Sequence, residues 1–180
     1  MGATFGAFRT LLLFVDENRR LEELAVSASL EFRAHERITI VAAGGALIMG
    51  SLGGVPTSPG AVGSLGLSAL VLEQGTYSPF LQVSGSMAVS TMRVAGTNYV
   101  AIDARAGLAC GWTLWDRFTP YAVARVFGGP VFYGPATGTD AYHVQLGAGF
   151  VVGLPAGFDI SAEIIPLGEQ RVTAGIGFSF

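Results

Sequence analysis

The sequence predicts an all-β protein, a closed antiparallel up-and-down barrel that crosses a membrane with ten strands, or eight in an alternative division. The clearest sign is the last segment, Gln170 to Phe180, in which apolar residues alternate with glycine, threonine and serine. Alternation with a period of two indicates a β-strand with one apolar face. Similar blocks recur along the chain, and only 13% of its 180 residues are charged. Few charges and an apolar outer face are typical of strands that face lipid.

Composition excludes several classes of protein. The 26 glycines are spread through the alternating blocks; each would weaken a helix by ~1 kcal/mol, whereas a strand that bends tolerates glycine. A net charge of −3 gives no basic surface for nucleic acid. Cys110 is the single cysteine, so we predict no disulfide framework and no thiol–metal cluster; we also expect no other metal site and no cofactor. The first residues show no secretory signal, so export would require that the signal has been removed.

Turn-forming residues divide the chain into ten predicted strands within one domain, residues 1–180. The first strand, from Ala3 to Val15, is the least regular of the set. The longer connections, 51–63 and 129–140, fall at one end of the barrel, as in barrels with long extracellular loops and short periplasmic turns. The predicted strands are 3–15, 24–32, 38–50, 64–74, 80–93, 99–112, 118–128, 142–152, 158–165 and 170–180.

Three other folds compete with this prediction. Residues 11–24 can also be drawn as a short amphipathic helix, which leaves nine strands or a redivided eight. Residues 38–72 carry no charge and are long enough for a membrane helix hairpin, but they contain eight glycines and two prolines. A soluble barrel of lipocalin type would turn the apolar set inward. Its water-facing surface would then be small, rich in glycine and serine and poor in charge, so lipid outside is favoured.

Three segments carry a resemblance to a known superfamily: Gly175-Ile-Gly-Phe-Ser-Phe180, Phe118-Thr-Pro-Tyr-Ala122 and, more weakly, Gly147-Ala-Gly149. With the overall pattern, the chain resembles the outer-membrane β-barrels of Gram-negative bacteria, especially small barrels similar to outer membrane protein A. The resemblance covers nearly the whole chain. It implies an outer-membrane location, contact with lipid and lipopolysaccharide, and an assembly signal read by the barrel-assembly machinery. That signal would be Phe180 with Ile176 and Phe178.

The polar strand faces predict a set of charged residues inside the barrel. An isolated buried charge is very costly, so we expect Arg105 and Arg125 to pair with Glu163 and Asp103 as a structural network. A narrow pore in which these pairs exchange partners is the alternative. The predicted lumen residues are Glu31, Arg33, Asp103, Arg105, Arg125, His143, Gln145, Asp159, Glu163 and Arg171.

No motif in the chain fixes an activity. Small barrels that modify lipid A carry a histidine and a serine on one strand, but Gln145 follows His143 on the same face, so we predict no enzyme. Residues 128–139 lack the ending of a phosphate-binding loop, and Phe132 and Tyr133 near its tip are the candidate contact with a partner or a surface glycan. The predicted function is therefore structural or a loop-mediated surface contact, with the pore second and lipid A modification last. Architecture alone does not supply function.

Overall fold

The computed structural model describes residues 1–15 and 17–179, and strands make up most of them. All strand pairs are antiparallel, and a short 3₁₀ turn covers Pro155–Gly157. The strands are β1 (Gly2–Phe14), β2 (Asn18–His35), β3 (Ile38–Leu52), β4 (Val55–Pro56), β5 (Gly60–Leu72), β6 (Phe80–Val94), β7 (Thr97–Gly111), β8 (Phe118–Gly128), β9 (Pro130–Tyr133), β10 (Ala136–Asp140), β11 (Val144–Gly153), β12 (Phe158–Leu167) and β13 (Gln170–Phe178).

The sheet closes on itself because β1 pairs with both β2 and β13. Ten long strands form this circuit: β1, β2, β3, β5, β6, β7, β8, β11, β12 and β13. The prediction of a closed ten-stranded antiparallel barrel is confirmed. The alternative of a helix over residues 11–24 is wrong, because the described part of that segment belongs to β1 and β2.

The two ends of the barrel differ. The terminal rim carries Met1, the end of β13 and the connections 36–37, 73–79, 112–117 and 154–157. The distal rim carries the opposite connections. The expectation of a long loop over residues 51–63 is wrong, because β3 extends to Leu52, β4 pairs back onto it and β5 begins at Gly60.

Residues 129–140, expected to form a loop, instead form the hairpin β9–β10 in the barrel wall. β9 pairs with β7 at Tyr99–Ala101, and β10 pairs with β1 at Leu12–Phe14. Near the distal rim this hairpin takes the place of β8, β11, β12 and β13, so the circuit there is β1, β2, β3, β5, β6, β7, β9 and β10. The wall therefore has ten strands towards the terminal rim and eight towards the distal rim.

The outer surface of the wall is mostly apolar, with the Arg9–Glu22 ion pair as an exception. Leu65, Met87 and Ile176 point outward and are 61%, 62% and 61% exposed. Their neighbours along each strand point inward, because side chains alternate across a sheet. Among the described residues, no helix has the length and apolar character needed to cross a membrane.

Candidate functional site in the barrel lumen

Inward-facing side chains change character along the barrel axis. On β2, passing away from the distal rim, they are Leu21, then Glu23, then Ser27. On β7, buried Tyr99 near the distal rim is followed by Arg105 further along the strand. The lumen thus has an apolar zone, a charged zone and a zone of small residues, in that order towards the terminal rim.

The apolar zone, here called the distal cluster, fills the lumen near the distal rim. Leu52 is 0% exposed and Tyr99 is 1% exposed, and the side chains of Phe8, Phe14 and Tyr133 pack against the cluster. An eight-stranded barrel has an interior just wide enough for side chains to fill, which is the geometry that the β9–β10 hairpin creates here. The members of the distal cluster are Leu12, Leu21, Leu47, Leu52, Met92, Val94, Tyr99 and Val131.

Arg105 organises the first part of the charged zone. Its Nε donates to the carboxylate of Asp103, and its Nη2 donates to Oε2 of Glu169 at 3.2 Å. Gln145 Nε2 donates to Oε1 of the same glutamate at 3.0 Å. Glu169 reaches the lumen from the turn between β12 and β13, where Gly168 has a φ of +88° that favours glycine. Arg105 and Glu169 thereby connect β7, the turn between β12 and β13, and β11 by hydrogen bonds.

Arg125 forms the second charged group, on the side of the barrel made by β8 and β12. Its Nη1 and Nη2 donate to Oε1 and Oε2 of Glu163, each at 2.7 Å. The hydroxyl of Tyr121 donates to Oε2 of Glu163 at 3.2 Å. Two parallel bonds between a guanidinium and a carboxylate are both strong and orientationally specific, so this pair fixes β8 relative to β12 from inside.

Two further titratable side chains of the charged zone, Glu23 and Arg171, belong to neither of these ion-paired groups. Phe8 on β1 is directly opposite Glu23 on one side and Arg171 on the other, so the three form one row across β2, β1 and β13. Glu23 is 5% exposed, and its Oε1 has no hydrogen-bond partner. None of the ion pairs or side-chain hydrogen bonds among the described residues includes Glu23 or Arg171.

A cavity of about 250 Å³ runs from the distal cluster past the charged zone to the zone of small residues, and its lining includes Leu12 and Tyr99 as well as Arg105. Ser84, on the inward side of β6, is exposed although it faces the lumen, which indicates that the small-residue zone is open towards the terminal rim. Residues lining the cavity include Thr4, Phe8, Glu23, Ser64, Ser86 and Arg171.

The predicted lumen residues separate into two groups. The structure brings Asp103, Arg105, Arg125, Gln145, Glu163 and Arg171 together in the charged zone. Glu31 and Arg33 lie on the part of β2 that extends past the first residue of β1, and both are exposed. Asp159 lies near the start of β12 at the terminal rim. His143 lies just before β11, where its Nδ1 is 3.2 Å from the backbone oxygen of Phe127.

Two other predicted sets lie in the wall. Ile176 points outward on β13, the ring of Phe178 is 4.9 Å from that of Phe158, and Phe180 lies outside the described residues. Phe132 and Tyr133 lie on β9. Phe132 is 40% exposed on the outer face. Tyr133 packs against Phe14 and under the guanidinium of Arg19. Their roles in assembly and in surface contact remain predictions.

Several functional residues escaped the sequence prediction. Glu23 shares its alternation phase with Ser27 and Glu31, so the same pattern could have placed it in the lumen. Glu169 was assigned to a connection, and Asp140, which accepts a hydrogen bond from Thr10 at 3.0 Å, was assigned to a loop. No sequence signal indicated that these two segments turn inward.

Among the described residues, no group of histidine, cysteine, aspartate and glutamate side chains has the arrangement needed to hold a metal ion. No protein-family model and no curated protein matches the sequence. The fold, however, is similar to that of the β domain of the Bordetella autotransporter BrkA, with a TM-score of 0.52 and 12% sequence identity over 99% of each chain. Variants of the Rhodopseudomonas blastica porin align over 100% of this chain and 99% of theirs at 10% identity, with a TM-score of only 0.21. The chain therefore has the fold of a known β domain, a closed antiparallel barrel.

Proposed function

We propose that this protein is an integral outer-membrane β-barrel of a Gram-negative bacterium, with a structural role and a lumen that does not conduct. Its outer wall carries large apolar side chains in every long strand, whereas Arg105, Arg125 and Glu163 point inward. In water that outer wall would be an exposed apolar surface far larger than soluble monomers show. Strands of about 9–11 residues suffice to cross a bilayer, and β13, the shortest of the ten long strands, runs from Gln170 to Phe178.

The distal cluster is the observation that carries the non-conducting role. An ion crossing the lumen would have to leave water and pass between Leu12, Leu52 and Tyr99, which offer it almost no polar ligands. Transfer of a charge into such surroundings costs far more than thermal energy. The exposed small-residue zone favours the alternative of a pore, but it reaches only as far as the charged zone. A pore would need a continuous polar path to the distal rim.

Conductance across planar bilayers tests this proposal. We expect the refolded protein to insert and remain silent, with insertion shown separately by heat-modifiable migration on a gel. A variant that hollows the cluster, Leu47→Ala with Leu52→Ala and Met92→Ala, should open measurable current. A control variant with the same kind of truncation on the outer face, Leu65→Ala with Leu67→Ala and Met87→Ala, should stay silent. Steady single-channel current from the unaltered protein would overturn the proposal and favour the pore.

Partners follow from the same assignment. The proposed contacts are lipid and lipopolysaccharide around the wall, and the barrel-assembly machinery at the β13 end, through Ile176 and Phe178 with Phe180. Phe132 faces outward on β9 beside the distal rim, which fits contact with lipid or with a surface partner. Kinship with small barrels similar to outer membrane protein A belongs to this proposal as well, since the fold agrees with it without distinguishing it from other barrel families.

A further inference from the structure

Glu23 and Arg171 are an acidic and a basic side chain in one row of the lumen, yet they do not pair with each other. Phe8 stands between them on β1. Neighbouring strands lie ~4.8 Å apart, so the two backbones are ~10 Å apart. A direct bond between them would have to pass over the ring of Phe8. The result is an acid and a base held on either side of an aromatic ring.

Every other acid in the charged zone has a partner. Asp103 and Glu169 bind Arg105, Glu163 binds Arg125, and Asp140 accepts from Thr10. Asp103 has one buried oxygen without a hydrogen bond, but Glu23 is 5% exposed and takes part in no ion pair or side-chain hydrogen bond among the described residues. A buried polar group without a partner is destabilising, by about 1–3 kcal/mol. A ligand that donated hydrogen bonds to Glu23 would remove that penalty.

The cavity beside this row has the size and the lining for a small polar molecule. Glu23, Phe8 and Arg171 all line the same space of about 250 Å³. Hydroxyl groups of Ser64, Ser86 and Thr173 line it as well, and they can both donate and accept hydrogen bonds. The small-residue zone, with Ser84 exposed inside the lumen, supplies a path from the terminal rim.

We propose that this cavity binds a small amino-carboxylate, a zwitterion whose ammonium group contacts Glu23 and whose carboxylate contacts Arg171. Its hydrocarbon part lies against the ring of Phe8. Guanidinium matches a carboxylate in a two-bond geometry, and an ammonium group supplies three donors to a carboxylate. A ligand with only one charge would leave either Glu23 or Arg171 without a partner. The proposal rests on the cavity and not on whether the barrel conducts.

Isothermal titration calorimetry of 4-aminobutyrate binding to the refolded barrel in detergent tests the proposal. Butyrate and butylamine, each of which keeps one of the two charges, are the matched comparison ligands. We expect 4-aminobutyrate to bind with a Kd of about 1 mM or tighter, and each single-charge ligand to bind at least about tenfold more weakly. Equal affinity for butyrate would make this an anion site, and equal affinity for butylamine a cation site; either result overturns the proposal.

Substitutions of Glu23 and Arg171 test whether the ligand binds at the row that these residues form with Phe8. Glu23→Gln and Arg171→Gln should each weaken 4-aminobutyrate binding at least about tenfold, which corresponds to 1.4 kcal/mol. Glu22→Gln is the control, because Glu22 is the next residue on β2 but faces outward and pairs with Arg9 at 2.8 Å. If the lumen variants fail to fold, Ser64→Phe leaves Glu23 and Arg171 unchanged, adds a ring to the cavity lining and should also abolish binding. Absence of binding to the unaltered protein, or binding unchanged in all three lumen variants, would overturn the proposal.

Discussion

The distal and terminal halves of this lumen are built from many of the same strands but filled in opposite ways. Towards the distal rim the hairpin β9–β10 reduces the wall to eight strands, and Leu52 and Tyr99 are almost completely buried. Towards the terminal rim the wall has ten strands, and Ser84 is exposed inside it. A barrel can therefore change its strand number along its axis. That change sets where the lumen is packed and where it is open.

The charged zone separates these halves. Removal of one partner from its ion pairs should lower the free energy of unfolding more than any other single change discussed here. Glu163→Ala leaves Arg125 without its two 2.7 Å hydrogen bonds in a largely buried position, where each of the two side chains is less than a quarter exposed. Removal of one partner from a buried ion pair costs about 3–5 kcal/mol. Urea-induced unfolding in detergent micelles measures the loss.

A control variant and a double variant show whether the loss comes from an unpaired buried charge. Glu73→Ala removes the exposed pair with Arg37 at the terminal rim, and such surface pairs are worth about 0–1 kcal/mol. The double variant Arg125→Met with Glu163→Leu should recover much of the loss, because no unpaired charge remains. If Glu163→Ala and Glu73→Ala have equal effects, the charged zone is not a buried boundary and the contrast between the two halves fails.

Truncation of a side chain in the distal cluster should cause the next largest loss in the free energy of unfolding. Leu52→Ala removes a side chain that is 0% exposed in the distal cluster, and Leu→Ala changes in cores cost about 2–5 kcal/mol. Ser84→Ala removes only a hydroxyl group inside the terminal half, where the site is open, and should change the free energy of unfolding by about 0.5 kcal/mol or less. Similar losses for the two variants would mean that both halves are packed.

The sequence was enough to predict the wall. Period-two alternation is visible in most of the long strands because one side of each must face the lumen, and turn residues bound β3, which is apolar on both faces, so strand number and closure could be predicted. An ion-pair network of Arg105 and Arg125 with Glu163 and Asp103 was expected because charges on inward faces need partners, although the sequence did not show which arginine binds which acid. These are properties of single strands and of charge balance, which a sequence displays directly.

The hairpin β9–β10 could not be predicted, and with it the difference between the halves was missed. Its two strands are short, Pro130–Tyr133 and Ala136–Asp140, and each pairs with a distant strand through only three residues. Glycines and prolines in this segment resemble a loop when the partners are unknown. Glu169 was missed for a related reason, because whether a turn bends inward depends on the wall around it.

Two neighbouring glycines on β3 test whether small residues are needed for close packing of the wall. At one of them an added Cβ would collide with the neighbouring strand, and at the other it would not. Gly45 faces inward on β3, and a Cβ there would lie 2.0 Å from the backbone oxygen of Val26, whereas a Cβ at Gly44 would meet nothing within 4 Å. We expect Gly45→Ala to cost about 1–3 kcal/mol, as overpacking does. Gly44→Ala should be neutral or stabilise by up to about 1 kcal/mol. A neutral Gly45→Ala in urea-induced unfolding would show that the wall does not require glycine at this position.

Thiol labelling compares the access of water to the two halves of the lumen. The cysteine substitutions that it uses should change the free energy of unfolding less than the variants above. In a background of Cys110→Ala, single cysteines at Ser84 and at Met92 report on the terminal and distal halves of β6. Ser84 is exposed inside the lumen and Met92 is 5% exposed in the distal cluster. A charged, membrane-impermeant thiol reagent reacts with the thiolate, which needs water around the sulfur. We therefore expect Ser84→Cys to be labelled at least about tenfold faster than Met92→Cys, because the buried thiol is desolvated. Comparable labelling rates in the folded, heat-modifiable protein would mean that water passes the distal cluster, and the lumen would then be open from end to end.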